Sequence, residues 1–237
     1  MAEGEPAVPL RFDPGVGIGP VSALCQRPRD ARALYVIGHG AGAGMRHPFL
    51  EAISGALNLA GIATFRYQFP YMEEGRRHPD PPRVAQATVR AAVMAAARWA
   101  PELPVIAGGK SFGGRMTSAA QAESPLPGVQ GLVFLGFPLH PPNQPGDTRA
   151  RHLDEVHLPM LFLQGTRDDL ADLELMRQVC RRLGGRATLH EVAQADHSFR
   201  LPKQAGRDAA QVIAELAGAI REWVERVVAP QHPAVGR

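Results

Sequence analysis

Short apolar runs recur along the chain at residues 33–37, 62–67, 105–107, 132–135, 160–163 and 188–192, rich in Val, Ile, Leu and Phe. They read as buried strands. Between them, residues 48–59, 84–99, 112–122, 170–183 and 209–228 place apolar side chains at helical spacing. Strand and helix therefore alternate. Parallel neighbours need a crossover connection and the crossover covers a face, so the pattern predicts a mostly parallel central sheet with helices on both faces, an α/β fold. Before residue 33, Pro and Gly punctuate two short segments, 9–12 and 20–25, which suit an antiparallel pair at one sheet edge. A chain of 237 residues is long enough for one large domain, with residues 1–20 and 230–237 as loosely held termini.

In an open sheet of this kind, ligands bind beyond the carboxyl ends of the strands, which directs attention to the loops after each apolar run. Those loops carry His39-Gly40-Ala41-Gly42, Gly109-Lys110-Ser111, Gly165-Thr166-Arg167-Asp168 and Asp196-His197. In Gly109-Lys110-Ser111-Phe112-Gly113, a strand runs into a helix through a turn with glycine two residues either side of a serine. This is the pattern of a nucleophile elbow, in which a strained backbone lifts the hydroxyl above the sheet edge. Gly-Lys-Ser also ends the phosphate-loop pattern. However, that pattern needs glycine five residues before Gly109, where Pro104 stands.

The elbow fold orders its partners as serine, acid, histidine along the chain, and His197 follows the last strand as that order requires. It is the expected general base. Asp168, three residues beyond Gly165, is the expected acid that fixes the histidine tautomer. Asp169 and Asp172 suit the amino-terminal turn of the next helix, where negative charge meets the dipole. Asp196, adjacent to His197, would struggle to turn back onto the same ring. The backbone N–H groups of Ala41 and Phe112 are the expected oxyanion donors, with Gly42 as a substitute for Ala41. His39 reads as a structural hydrogen-bonding residue and His190 lies inside a strand. The histidines at 78, 140, 152, 157 and 232 read as solvated. Phe69, Tyr71, Phe137 and Leu139 follow rim strands and either wall a small apolar acyl pocket or pack beneath the loops.

The net charge of +3 comes from cations scattered among acids, which disfavours nucleic acid as a partner. The longest apolar segment, 84–99, is too short and too interrupted by Gln86, Arg90 and Arg98 to span a bilayer. No secretory leader is evident at the start, so a cytoplasmic location is expected, with Cys25 and Cys180 as free thiols. No cofactor and no metal are expected. Oligomeric state is not set by these features.

Several segments together resemble a known group: 38–45 followed by His47-Pro48-Phe49, then 65–73, the run 108–115, Phe137-Pro138-Leu139-His140-Pro141-Pro142, and Gly165-Thr166-Arg167-Asp168. The chain is similar over nearly its whole length to a family of small α/β-hydrolases related to dienelactone hydrolase. That family also includes a chromatin-complex subunit domain and a testis-expressed eukaryotic protein. The resemblance implies a Ser111, Asp168, His197 triad and an esterase-like or acyl-hydrolase activity. The departure is Lys110, since histidine, aspartate or glutamate more commonly precedes the serine; its charge is expected to meet a carboxylate or solvent. The interval between residues 135 and 160 is too short for a separate helical cap, so an open site with a preference for small, soluble acyl substrates is expected. The other reading is a catalytically silent scaffold or protein-interaction module, because a fold alone does not establish chemistry.

Overall fold

The computed structural model describes residues 6–228 apart from positions 16 and 18. Its strands are β1 (Val8–Phe12), β2 (Val21–Gln26), β3 (Ala33–Gly38), β4 (Ile62–Tyr67), β5 (Val105–Lys110), β6 (Val129–Leu135), β7 (Met160–Gly165) and β8 (Ala187–Val192). Its α-helices are α1 (Pro48–Leu59), α2 (Pro70–Glu73), α3 (Pro82–Trp99), α4 (Phe112–Glu123), α5 (Leu173–Leu183) and α6 (Ala209–Val227). The strands form one eight-stranded sheet in the order β1-β2-β4-β3-β5-β6-β7-β8. β1 and β2 are the antiparallel edge, and every pairing from β4 through β8 is parallel. This is the α/β-hydrolase fold.

Side-chain alternation along β3 shows how the sheet divides the core. Leu34 and Val36 pack on the face covered by α3, α4 and α5, while Ala33, Tyr35 and Ile37 pack on the face covered by α1 and α6. All are buried, so β3 needs an unbroken apolar run rather than an alternating one. Burying each large side chain of this set stabilises the fold by about 1.5–3 kcal/mol.

Local chemistry sets the helix ends. In α1, Pro48 at the first turn has no N–H to leave unpaired, and His47 accepts the Phe49 N–H. Helix α5 starts at Leu173, later than the spacing predicts, because Asp172 caps it by accepting the Leu175 N–H at 3.0 Å. α6 begins with a reciprocal capping box between Asp208 and Gln211.

The antiparallel edge expected of residues 9–12 and 20–25 is present as β1 and β2, which leaves part of the amino-terminal stretch firmly held. Val8–Phe12, inside the stretch 1–20 expected to be loosely held, is a strand paired with β2. Residues 1–5 and 229–237 lie outside the described ones.

The sheet order locates a crevice. The chain leaves β3 toward β4 on one side and, after α3, returns to place β5 on the other side of β3. Loops after β3 and β5 thus part in opposite directions, which is where such sheets bind ligands. Between β6 and β7 there is only loop and a 3₁₀ helix, Thr148–Glu155, so no large cap covers that crevice. Among the described residues, no helix is long and apolar enough to cross a membrane.

Candidate active site

β5 runs three residues past its predicted end, through Gly108 and Gly109, before the chain turns into α4. Glycine reads as punctuation in the sequence. Here it continues the strand because the neighbouring backbones come too close for any side chain: a Cβ on Gly109 or Gly113 would overlap the carbonyl group of Gly38 in β3. Ser111, between them, takes φ 49° and ψ −108°, a conformation L-residues rarely adopt. The turn is thereby locked from both sides, and the serine hydroxyl stands at the crevice.

Ser111 Oγ lies 2.9 Å from His197 Nε2, and His197 Nδ1 lies 2.7 Å from Asp168 Oδ2. Three side chains from three separate loops join in one hydrogen-bonded chain. The ionised Asp168 can only accept, so Nδ1 carries the proton and Nε2 is left to accept from the serine. Asp168 is itself buried and held in place: Gln164 donates to Oδ2, and the Leu170 N–H donates to Oδ1 at 2.8 Å. Gln164 in turn accepts the Phe137 N–H at 3.0 Å. Asp169 is exposed and Asp172 caps α5. Asp196 folds the histidine turn instead, accepting the Ser198 and Arg200 N–H groups at 2.8 Å each.

Lys110 is partly exposed at the cleft, and among the described residues no carboxylate pairs with it directly. Its ammonium donates to the His197 backbone carbonyl at 2.6 Å and lies 5.5 Å from the centre of the Phe199 ring. Burial pushes its pKa down from 10.5 to about 8, while the carboxylates of Asp168 and Asp196 act in the opposite direction. The residue before the nucleophile thus ties down the loop that carries the histidine.

The serine opens into a cleft of about 320 Å³ lined by Gly40, Ala41, His47, Phe49, Leu50 and Leu170, among others. Phe112 is the first residue of α4, so its N–H has no acceptor within the helix. Ala41 lines the cleft with Ser111, on the loop after β3, whereas the Gly42 N–H is taken by the Tyr71 hydroxyl at 2.9 Å.

A model of the alpha/beta hydrolase domain matches residues 31–225. The chain belongs to this family. Among solved structures, this hydrolase is similar to a dienelactone hydrolase from Anabaena variabilis ATCC 29413, with 21% identity, a TM-score of 0.72, and 93% of this chain and 98% of that one covered. It is equally similar in fold to a lidless α/β serine hydrolase from Xanthomonas campestris, at 20% identity and TM-score 0.72, covering 96% and 97% of the two chains. Est1E from Butyrivibrio proteoclasticus follows at 16% identity and TM-score 0.64, covering 93% and 98%. At these identities the likeness is one of fold.

The hydrolase does not bring the four expected pocket residues to the cleft. Phe69, Tyr71, Phe137 and Leu139 are all buried and line none of it; they pack beneath the loops. Phe69 and Tyr71 surround His39, whose Nε2 accepts the Phe69 N–H at 3.1 Å and whose Nδ1 donates to the Gly40 carbonyl at 2.8 Å. Burial holds the His39 pKa down to about 4, so it is a neutral strut under the loop.

Two further histidines are not solvated as expected. His140 is buried and accepts the Asp172 N–H, and His152 pairs with Ser118 Oγ at 2.7 Å. Sequence reasoning missed the residues that do line the cleft, His47, Phe49, Leu50 and Leu170. The signal available was an aromatic residue in the first turn of the helix that follows the Gly-rich loop.

Proposed function

We propose that this hydrolase is a serine enzyme, carried by a single domain, that cleaves carboxylic esters of small acyl groups through an acyl-enzyme. The observation that carries this reading is the continuous Ser111–His197–Asp168 hydrogen-bonded chain at the mouth of an uncapped cleft.

In the reaction, His197 Nε2 removes the Ser111 proton as Oγ attacks the acyl carbon. The Ala41 and Phe112 N–H groups hold the carbonyl oxygen as it gains charge. Collapse breaks the bond to the alcohol, which leaves with the proton from His197. Water, deprotonated by the same nitrogen, then releases the acid and restores the serine. Asp168, buried and ionised, stabilises the imidazolium in both halves.

A scaffold role needs no such alignment, and fluorophosphonate labelling separates the two. A single adduct on Ser111, lost in Ser111→Ala, is expected; a folded wild-type chain that takes no label would favour the scaffold.

A further inference from the structure

The cleft does not end at the histidine. A second, larger groove of about 660 Å³ adjoins it, and His47, Phe49 and Ser198 line both. The groove runs between the start of α1 and the start of α6, along the segment that directly follows His197. Its apolar floor centres on Phe49 and Phe199, whose rings stack 5.4 Å apart and within 8° of parallel, together with Val212 and Ile213. Phe199 is set there by a backbone φ of 61°, within the turn that Asp196 closes.

Charge in the groove is one-sided. Arg200, Lys203 and Arg207 line it and no carboxylate does. Arg207 is neutralised by its ion pair with Glu215. Arg200 and Lys203 are exposed and make no ion pair among the described residues. An apolar trough with two unpaired cations is complementary to an apolar chain that bears an anion.

Position decides which part of the substrate this is. His197 Nε2 must deliver its proton to the departing oxygen, so the leaving alcohol lies on the side of the histidine loop, where the groove begins. We propose that the groove binds the leaving group, and that the preferred substrate is a small acyl ester of an apolar alcohol ending in a carboxylate. This rests on the serine-hydrolase reading of the same site.

The test compares 6-acetoxyhexanoate with hexyl acetate, measuring acetate release, with nitrophenyl acetate as reference. At low salt the anionic ester is expected to show kcat/KM about fivefold higher, an advantage that shrinks as ionic strength rises. The double variant Arg200→Glu, Lys203→Glu should reverse the order, and its melting temperature should match the wild type. Moving the carboxylate to the acyl arm, as in monoethyl hexanedioate against ethyl hexanoate, should bring no gain. If nitrophenyl acetate is cleaved but the two alcohol arms are equal, or only the acyl-arm carboxylate helps, the groove assignment is overturned and the hydrolase reading stands. If nitrophenyl acetate is not cleaved at all, the hydrolase reading falls and takes the groove with it.

Discussion

The nucleophile and its base sit on opposite walls of one cleft, but the two walls are held by different forces. At the elbow, Gly109 and Gly113 press backbone against the backbone of β3, and the side-chain hydroxyl that supports them, Thr117 donating to the Gly113 carbonyl at 2.8 Å, carries no charge. In the histidine loop, residues 194–200, the chain is fixed by side chains: Thr166 Oγ1 accepts the Gln194 N–H, Asp196 caps the turn and Lys110 grips the His197 carbonyl. Close packing leaves the serine one position. The histidine's position depends instead on groups that can be deleted or titrated.

The sharpest expected contrast is at the serine itself. Ser111→Ala removes the covalent step but none of the glycine contacts, so kcat/KM on a small ester should fall about 10⁴- to 10⁶-fold with the thermal unfolding curve unchanged. Turnover close to wild type would move the nucleophile elsewhere.

Asp168→Asn tests the other wall. It offers Nδ1 a donor or the wrong tautomer, and a loss of about 10³- to 10⁴-fold is expected. Asp169→Asn, at an exposed neighbour, should change the rate by no more than about twofold. Equal, mild losses at the two positions would mean that another group orients His197.

Gly109→Ala should act on the fold rather than on the chemistry. The new methyl has no space against Gly38, and urea unfolding should report a loss of about 3 kcal/mol or more, or no folded protein at all. A fully stable Gly109→Ala enzyme would contradict the view that backbone packing fixes the elbow.

Lys110 is the point at which the histidine loop can be loosened without touching the triad. In Lys110→Met, kcat should drop about tenfold with little change in KM, since a positioning contact is lost. Wild-type kcat should also decline on the alkaline side with a midpoint near pH 8, as the ammonium loses its proton, and the variant should lack that limb.

Stability runs the other way. The folded pKa, about 8, is below the ordinary 10.5, so between those values the unfolded chain binds the extra proton. The stability of wild type relative to Lys110→Met should therefore rise across that window. A pH-independent difference in both rate and stability would show that Lys110 only fills space.

The smallest expected effect concerns acyl length. With a cleft of about 320 Å³ and no cap, nitrophenyl acetate and butyrate should be preferred a few-fold over longer acyl chains, with no jump in rate when substrate aggregates. Rising efficiency with acyl length would mean that the larger groove takes the acyl arm instead.

What the sequence determined by itself were the features written in local order. Apolar runs alternating with helical spacing specify the layers, because side-chain periodicity is a property of each segment. Glycine two residues either side of Ser111 specifies the elbow, because only glycine tolerates the close backbone there. The order serine, acid, histidine follows from the elbow fold, and among the acids that satisfy it the strand-end position three residues beyond Gly165 singles out Asp168, with Asp169 at the start of the next helix and Asp196 beside His197 itself.

Tertiary structure decided what depends on contacts between distant segments. Phe69, Tyr71, Phe137 and Leu139 carry the composition of a pocket wall, yet packing turns them inward around His39 and under the loops. Lys110 and His197 are separated by 86 intervening residues that the sheet closes into one hydrogen bond. Whether an aromatic ring lines a cleft or fills the floor beneath it, and whether a lysine meets a carboxylate or a carbonyl, is set by which loops the strand order brings together. No periodicity in the chain records that.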